Sequence, residues 1–317
     1  MRTTTLGSTG ITVTELCFGA SPIGFMGDFT GDPDDRGVAT VEAVLRSPIR
    51  FLDTSNGYGP AGESEQRIAL AIERTGLPDD VVIATKVDPA TGSSDFSGDR
   101  VRASLEESLE RLGLDRVPLL HLHDPERISF EEGVAPGGPL RALVQLKERG
   151  LVDAIGVAGG PVGLLRRYVD TGELDVVLSH NRFTLLDRSA EPLFRAARER
   201  GLGVLNAAPY GGGILSRGTA EVPRYAYGLG GRATVEAARA MEAVCARYEV
   251  PLAAAALDFS LRSDLVDSTV VGMSSPERVA ATEALLATAV PDDLRAELEA
   301  LLPAASEWLD ADEQLPR

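Results

Sequence analysis

Short apolar runs alternate along the chain with longer segments in which apolar residues recur every three or four positions. The short runs are rich in β-branched residues, which is typical of buried strands, whereas the longer spacing predicts amphipathic helices. The runs predict eight strands, at residues 16–19, 50–53, 81–86, 117–121, 154–157, 176–179, 203–207 and 268–271. The helical patterns include residues 63–74, 101–112, 140–149, 162–169, 190–200 and 234–248, several of them followed by a glycine that marks the helix end.

This alternation predicts an α/β fold with a parallel sheet. No change of composition and no low-complexity linker divides the chain, so we expect residues 1–317 to form a single domain. Eight strands that are each followed by a helix can close into a (β/α)8 TIM barrel, whereas an open doubly wound sheet usually carries G-x-G-x-x-G after its first strand. The first strand here leads into GASPIG, which lacks that spacing. The barrel is therefore the predicted fold, with additional segments at residues 3–13, after the seventh strand and at the C-terminus.

Charge and composition narrow the possible partners and the compartment. The chain has 31 Lys+Arg against 48 Asp+Glu, a formal charge of −17, which disfavours nucleic acid and anionic membrane surfaces as partners. The N-terminal segment lacks the apolar core of a signal peptide, and no apolar run approaches a membrane span, so we expect a cytoplasmic location. Cys17 and Cys245 lie far apart in apolar segments, which predicts reduced core residues.

Polar side chains that suit acid–base chemistry follow several predicted strands. Strand two runs into FLDTSNGYG, which contains Asp53 and Tyr58, and strand three ends with Lys86. Strand four runs into LLHLHDP, which places His121 and His123 two positions apart, and strand six runs into His180. Because the carboxyl ends of barrel strands meet at one rim, these side chains are expected to converge there.

Four of these residues have complementary chemistry. A phenol has an ordinary pKa near 10, so Tyr58 needs a cation to stabilise its phenolate at neutral pH. A buried Lys86 would lower that pKa, and Asp53 would keep Lys86 charged. A neutral His123 could hydrogen-bond the substrate oxygen. Taken singly, each residue also has a purely structural explanation, such as a helix cap or a solvated charge. His121 is expected to be a buried strand residue.

Ordered motifs along nearly the whole chain carry a family resemblance. They are LGSTGITVTELCFGASPIG, FLDTSNGYGPAGESE, ATK, HLHDPE, IGVAGG, HNRFTLLDR, APYGGGIL and VVGMSSPERV. The chain resembles the aldo-keto reductases, most of all the bacterial branch that holds D-threo-aldose 1-dehydrogenase, L-fucose dehydrogenase and pyridoxal 4-dehydrogenase. The resemblance implies an N-terminal β-hairpin, a barrel with C-terminal loop and helix additions, and a catalytic tetrad of Asp53, Tyr58, Lys86 and His123. It also implies hydride transfer with a nicotinamide cofactor, either oxidation of an aldose at C1 to a lactone or reduction of a small aldehyde or ketone.

The resemblance places NAD or NADP across the barrel mouth, and the chain departs from better-known members there. Ala158 and Gly159 stand where many members have a Ser-Asn pair, His180 replaces a Gln, and Ala207 replaces a stacking aromatic, for which Tyr210 is the expected substitute. Gly272 replaces a Lys that is common in NADP-preferring members, which favours some use of NAD. The full set of expected cofactor contacts is Gly19, Ala20, Asp53, Ala158, His180, Ala207, Ala208, Tyr210, Gly212, Gly272, Ser274 and Arg278.

Aromatic residues in the additional segments are candidates for the pocket of a small-molecule substrate, with loop packing as the alternative. They are Phe25, Tyr225, Tyr227 and Trp308. Two other functions remain open from the sequence. One is a cofactor-binding regulatory subunit without turnover. The other is a metal-dependent hydrolase that uses His121, His123 and His180, although such enzymes usually take their H-x-H from the first strand. No metal is expected, and the natural substrate, the reaction direction and the oligomeric state are left undetermined.

Overall fold

The fold was obtained as a computed structural model, which describes residues 1–32 and 34–311. The strands in this part of the chain are β1 (Thr3–Thr5), β2 (Thr12–Thr14), β3 (Leu16–Gly19), β4 (Phe51–Asp53), β5 (Val82–Val87), β6 (Val117–His123), β7 (Val152–Gly159), β8 (Val176–His180), β9 (Gly203–Ala207) and β10 (Ser268–Gly272). The helices are α1 (Ser21–Gly24), α2 (Arg36–Arg46), α3 (Glu63–Thr75), α4 (Gly98–Leu112), α5 (Phe130–Val134), α6 (Pro139–Glu148), α7 (Val162–Asp170), α8 (Glu191–Glu199), α9 (Ile214–Arg217), α10 (Arg232–Arg247), α11 (Leu252–Leu261), α12 (Pro276–Leu286) and α13 (Asp292–Glu299).

Strands β3 to β10 form a closed parallel barrel in the order β10-β3-β4-β5-β6-β7-β8-β9. The ring closes where β3 pairs with β4 on one side and with β10 on the other, with Phe18 opposite both Leu52 and Val271. Each barrel strand overlaps one of the predicted runs, because buried parallel strands are nearly continuous stretches of apolar residues. The predicted (β/α)8 TIM barrel is confirmed.

The hairpin of β1 and β2 covers the amino ends of the barrel strands. Its turn bonds to segments that precede β9 and β10: Ser8 N donates to Gly201 O at 2.8 Å, and Gly7 N donates to Asp267 Oδ2 at 3.3 Å. Leu6 and Val13 belong to the apolar cluster that fills the barrel interior. The hairpin therefore seals this end, and the opposite, carboxyl end is the open one.

A second and larger apolar core lies between the barrel and the surrounding helices. Helix ends are defined locally: Gly113 ends α4 with a φ of 67°, as the sequence predicts, and Ser97 caps its start. Ser275 caps α12 with Pro276 in the first turn. Both cysteines, Cys17 and Cys245, are free and buried.

The helical patterns in the sequence did not include α2 or α11. Helix α2 follows a polar, glycine-rich loop and begins where the Asp35 side chain accepts a hydrogen bond from Val38 N, a local signal that apolar spacing does not reveal. Helix α11, with the sequence LAAAALDFSL, is buried around most of its circumference and so lacks the alternation of polar and apolar faces. Of the helices in the described part of the chain, none is both long and apolar enough for a membrane span.

Candidate active site

The carboxyl end of the barrel opens into a cavity of about 710 Å³. Asp53 ends β4, Lys86 lies near the end of β5, His123 ends β6, and Tyr58 lies in the loop that follows β4. All four line the cavity. The structure therefore brings together the four side chains that the sequence places at neighbouring strand ends.

Lys86 forms the centre of this group. Its Nζ donates to Asp53 Oδ2 at 2.6 Å, to the Thr54 carbonyl at 2.7 Å and to Tyr58 Oη at 3.1 Å. The side chain is only 2% exposed, so these three acceptors replace water around the ammonium group. Burial alone would lower the pKa of Lys86, but the charge of Asp53 and the Tyr58 hydroxyl outweigh it and hold the pKa above its ordinary value. Lys86 is therefore charged at neutral pH.

Tyr58 retains its proton in this environment. Burial raises the pKa of Tyr58 to about 12, because desolvation of the phenolate, together with the nearby Asp53 charge, exceeds the lowering effect of Lys86. The sequence-based expectation that Lys86 would bring this pKa below its ordinary value is wrong for the site without substrate. The direction of the Lys86 effect was correct, but the sequence does not reveal how completely the hydroxyl is buried.

His123 is held by a carboxylate that the sequence analysis did not single out. Its Nδ1 lies 2.9 Å from Asp88 Oδ1 and 3.0 Å from Asp88 Oδ2. Ser55 Oγ lies 3.1 Å from the same nitrogen and donates a short hydrogen bond to Asp88. The His123 ring meets the Tyr58 ring edge-on, with 5.5 Å between the ring centroids. Asp88 therefore orients a histidine that lies directly beside the phenol.

The surroundings fix Asp88 from two sides. Its backbone N–H donates to Ser104 Oγ at 3.1 Å, and Arg100 Nε donates to its carbonyl at 2.9 Å, both from α4. Gly57 N donates to Asp88 Oδ2 at 2.9 Å, and a Cβ on Gly57 would lie 2.8 Å from Asp88 Cγ. Only glycine permits this approach. Asp88 is two positions after Lys86 near the end of β5, so the strand period of two was the signal that could have identified it.

Six of the expected cofactor contacts besides Asp53 line the cavity. They are Gly19, Ala158, His180, Ala207, Ala208 and Gly272. Apart from His180 these residues are small, so this part of the wall leaves room for a flat ring. Asn181 Nδ2 donates to His180 Nδ1 at 3.0 Å, and burial together with the Arg182 charge lowers the pKa of His180 to about 4. His180 is therefore neutral at neutral pH.

Other expected cofactor contacts lie outside the cavity lining. Tyr210 packs against the outer core, and its hydroxyl is buried with no partner among the described residues, which corrects the prediction that it replaces the missing aromatic at β9. The tyrosine of the segment after β9 that does line the cavity is Tyr227, which is 69% exposed. Ala20 is fully buried. The remaining expected contacts not on the cavity wall are Gly212, Ser274 and Arg278, the last two exposed around the start of α12.

Only some of the candidate substrate residues reach the cavity. Phe25 lines it and is 63% exposed. Tyr225 does not: it is 1% exposed, and its hydroxyl hydrogen-bonds Thr184 Oγ1 at 2.9 Å and the Asn181 carbonyl. The Trp308 indole donates to the Pro303 carbonyl at 3.0 Å and does not line the cavity. Tyr225 and Trp308 are thus packing residues here, and their predicted contact with substrate is corrected.

The histidines do not form a common metal site. His121 is completely buried, as the sequence predicts, with neither ring nitrogen bonded to another described residue. Within residues 1–32 and 34–311, one group of three potential metal ligands lies close together, with its ligand atoms within 4.8 Å of one another. It consists of Asp124, Glu126 and His180 and contains only one of the histidines. Asp124 is already paired with Arg127 at 2.9 Å. The H-x-H arrangement required by the hydrolase alternative is therefore not assembled.

Comparison with known proteins identifies the family of the chain. The model of the aldo/keto reductase family matches residues 15–303. A D-threo-aldose 1-dehydrogenase from a Pseudomonas species is 33% identical over 315 residues, covering 91% of this chain and 94% of the relative. L-Galactose dehydrogenase of Arabidopsis thaliana is 35% identical over 306 residues, covering 94% of this chain and 93% of the relative. The chain belongs to the aldo/keto reductase family, which confirms the resemblance seen in its motifs.

A solved structure supports the fold independently. The holo form of an aldo-keto reductase from Bacillus halodurans matches with a TM-score of 0.76 at 24% identity, covering 96% of this chain and 97% of that one. Together with the dehydrogenase relatives, family membership makes the protein an NAD(P)-dependent oxidoreductase.

Proposed function

We propose that the protein oxidises an aldose at C1 to the lactone, with Tyr58 exchanging the proton at the substrate oxygen. The observation that carries this proposal is the single ammonium group of Lys86, bonded at once to Asp53 and to Tyr58 Oη on the cavity wall. Two relatives with more than nine-tenths coverage are sugar dehydrogenases by name, which favours a sugar over other alcohols. Reduction of a small aldehyde or ketone is the alternative, since the same groups serve both directions.

The residues divide the work of proton transfer. The nicotinamide ring, when bound, supplies the carbon that accepts or donates the hydride. Tyr58 carries its proton at rest and can donate it to a carbonyl oxygen during reduction. During oxidation the phenolate form is needed, and the Lys86 ammonium stabilises it at 3.1 Å. Asp53 keeps Lys86 charged and aimed at the phenol oxygen.

The wall of small residues supports the cofactor site. A Cβ on Gly19 would lie 3.1 Å from Val270 Cγ1, so a larger side chain at this position would crowd the β3–β10 seam at the cavity. Ala158 and Ala207 likewise project only a methyl group toward the cavity. These positions are proposed to hold the nicotinamide, with the neutral His180 as hydrogen-bond partner of its carboxamide.

We also propose a preference for NAD over NADP. A 2′-phosphate brings between one and two negative charges and needs cationic partners. Gly272 offers no cation, and a Cβ there would meet Pro22 Cγ at 3.0 Å, so a longer side chain would require Pro22 to shift. Arg278 is the exposed cation nearby in sequence, and it would account for residual use of NADP.

A substrate screen tests the reaction. The near-ultraviolet absorbance of the reduced cofactor is followed with L-fucose, D-arabinose, L-galactose, pyridoxal and simple aldehydes, each with NAD(H) and with NADP(H). We expect sugar-dependent formation of NADH and a lactone product. Turnover with aldehydes alone would favour the alternative direction and substrate. Tyr58→Phe should lower kcat by about 10²- to 10⁴-fold while cofactor binding, measured by fluorescence, is retained. Cofactor binding without turnover in the wild type would instead indicate a regulatory subunit.

Arginine variants test the cofactor preference. Arg278→Ala should lower kcat/KM with NADP and leave kcat/KM with NAD unchanged. Arg232→Ala is the matched control, because Arg232 is 90% exposed and pairs only with Glu236 among the described residues. Equal losses with both cofactors in Arg278→Ala, or wild-type activity confined to NADP, would contradict the proposed preference.

A further inference from the structure

Asp88 is a buried, ionised residue in the candidate active site, and the mechanism proposed above gives it no role. It is 3% exposed, lines the cavity, and lies within 3.0 Å of His123 Nδ1 through both carboxylate oxygens. Two separate elements hold it in place: the loop after β4 bonds its carboxylate through Ser55 and Gly57, and α4 bonds its backbone through Ser104 and Arg100. Contacts to both the backbone and the carboxylate of Asp88 thus fix its orientation relative to the imidazole ring.

Counting hydrogens at His123 Nδ1 determines which tautomer fits. The Ser55 hydroxyl donates its one hydrogen to Asp88, so Ser55 Oγ faces Nδ1 as an acceptor. Both Asp88 oxygens also face Nδ1, and an ionised carboxylate can only accept. A bare Nδ1 would thus meet three acceptor oxygens within 3.1 Å, whereas a protonated Nδ1 satisfies them.

The ionisation of Asp88 agrees with this arrangement. Burial raises its pKa, but His123, the Ser55 hydroxyl and the Gly57 N–H outweigh burial and hold the pKa of Asp88 well below its usual range. Arg127 Nη1, at 3.5 Å from Asp88 Oδ1, adds a further cation on the cavity side. The carboxylate therefore remains an acceptor throughout the neutral range.

We propose that Asp88 is a positioning residue which holds His123 as the Nδ1–H tautomer, so that the bare Nε2 faces the cavity and accepts a hydrogen bond from a second substrate hydroxyl, next to the one whose proton Tyr58 takes. Nε2 has no hydrogen-bond partner among the described residues; the nearest carboxylate, Asp124 Oδ1, is 3.7 Å away. An acceptor at this point recognises an alcohol, whereas an Nε2–H donor would recognise a carbonyl. The proposal rests on the proposed function and deepens it, since it selects a sugar, which carries a second hydroxyl beside the reacting one, over a simple alcohol or aldehyde.

The opposite tautomer is expected at His180, which provides an internal comparison. There the Asn181 amide donates to Nδ1, so the hydrogen of the neutral ring lies on Nε2. The cavity would then present one histidine acceptor, His123, toward the substrate and one histidine donor, His180, toward the proposed carboxamide site. The chain contains only 3 histidines, so their ring nitrogens can be resolved in a labelled sample.

The test is ¹⁵N NMR of the full protein labelled in histidine, without substrate or cofactor, at neutral pH. Signals that disappear in His123→Gln belong to His123. We expect Nδ1 of His123 to be protonated and Nε2 to be bare in the wild type. In Asp88→Asn the amide can donate to Nδ1, so the tautomer should reverse. Asp99→Asn is the matched control: it removes one acidic charge from α4 at a side chain that is 93% exposed, and should leave the wild-type pattern.

Kinetics provide the second readout. Asp88→Asn should lower kcat/KM for sugar oxidation by about 10²- to 10⁴-fold, the range for a misaligned acid–base group, while Asp99→Asn retains wild-type values. A wild-type His123 with Nε2 protonated, alone or together with Nδ1, would overturn the proposal, and so would an unchanged tautomer in Asp88→Asn. If Asp88→Asn does not fold, the wild-type spectrum alone still shows which nitrogen of His123 is protonated and so tests the proposal. The spectrum requires no turnover. A sugar screen without activity would therefore refute the proposed substrate and leave the assignment of the His123 tautomer unaffected.

Discussion

Removing the Lys86 ammonium should separate what the buried ion pair does for folding from what it does for catalysis. In Lys86→Met the Asp53 carboxylate, 3% exposed, loses its cation, and its Oδ1 already has no partner among the described residues. Breaking a buried pair by removing one member costs about 3–5 kcal/mol of unfolding free energy. The free energy of unfolding should therefore fall by about that amount, measured by urea denaturation followed by circular dichroism.

The double variant Lys86→Met/Asp53→Leu provides the decisive comparison. It replaces both charges with apolar side chains, and such replacements are often neutral within about 1 kcal/mol or even stabilising. We expect it to recover most of the lost stability and none of the turnover, because Tyr58 still has no cation to stabilise its phenolate. The loss of kcat in both variants should be about 10²- to 10⁴-fold.

Lys147→Met is the matched control for this experiment. Lys147 also pairs with an aspartate at 2.6 Å, but its side chain is 38% exposed. Water screens such a pair, so the unfolding free energy should change by about 1 kcal/mol or less. Equal destabilisation by Lys86→Met and Lys147→Met, or a double variant no more stable than Lys86→Met, would refute the reasoning.

Three further outcomes follow from the burial and charge of single residues. Tyr225→Phe should lower the unfolding free energy by about 1–3 kcal/mol, because it removes a buried hydroxyl and leaves the Asn181 carbonyl and the Thr184 hydroxyl without this partner, with KM for substrate unchanged; a raised KM at wild-type stability would restore Tyr225 to the pocket. Phe25→Ala should raise KM for the sugar while the urea midpoint stays within experimental error, since the ring is 63% exposed at the cavity; an unchanged KM would contradict a substrate contact. The stability that Tyr58 contributes through its raised pKa is fully present below pH 10 and is lost as pH rises toward 12, so Tyr58→Phe should show a shallower alkaline decline in unfolding free energy than the wild type, and parallel curves would show that the phenol does not titrate as described.

The barrel and the position of the tetrad were predictable because both depend on local patterns. Apolar runs mark the strands, and a polar residue at the end of a run must lie at the rim once the barrel closes. Asp53, Lys86 and His123 were identified in this way. Asp88 was not, because an aspartate followed by proline is typical of a turn, and only the contact with His123 across the rim gives it a role.

The positions of Tyr210, Tyr225 and Tyr227 show what local sequence patterns leave undetermined. All three lie in the long segment after β9, and their sequence surroundings are equally rich in glycine. Burial depends on how that segment folds back: Tyr225 bonds to Thr184 and becomes part of the core, while Tyr227 reaches the cavity. The pKa of Tyr58 was missed for the same reason, since desolvation is a property of the assembled fold.

The plug formed by Leu6 and Val13 gives the molecule two ends with independent duties. Substitutions in the β1–β2 hairpin change the stability of the barrel. The packed barrel interior separates them from the side chains of the candidate active site. Substitutions at the carboxyl end can therefore change substrate specificity, while substitutions in the hairpin raise the unfolding free energy. The effects of the two sets of substitutions on stability should be additive.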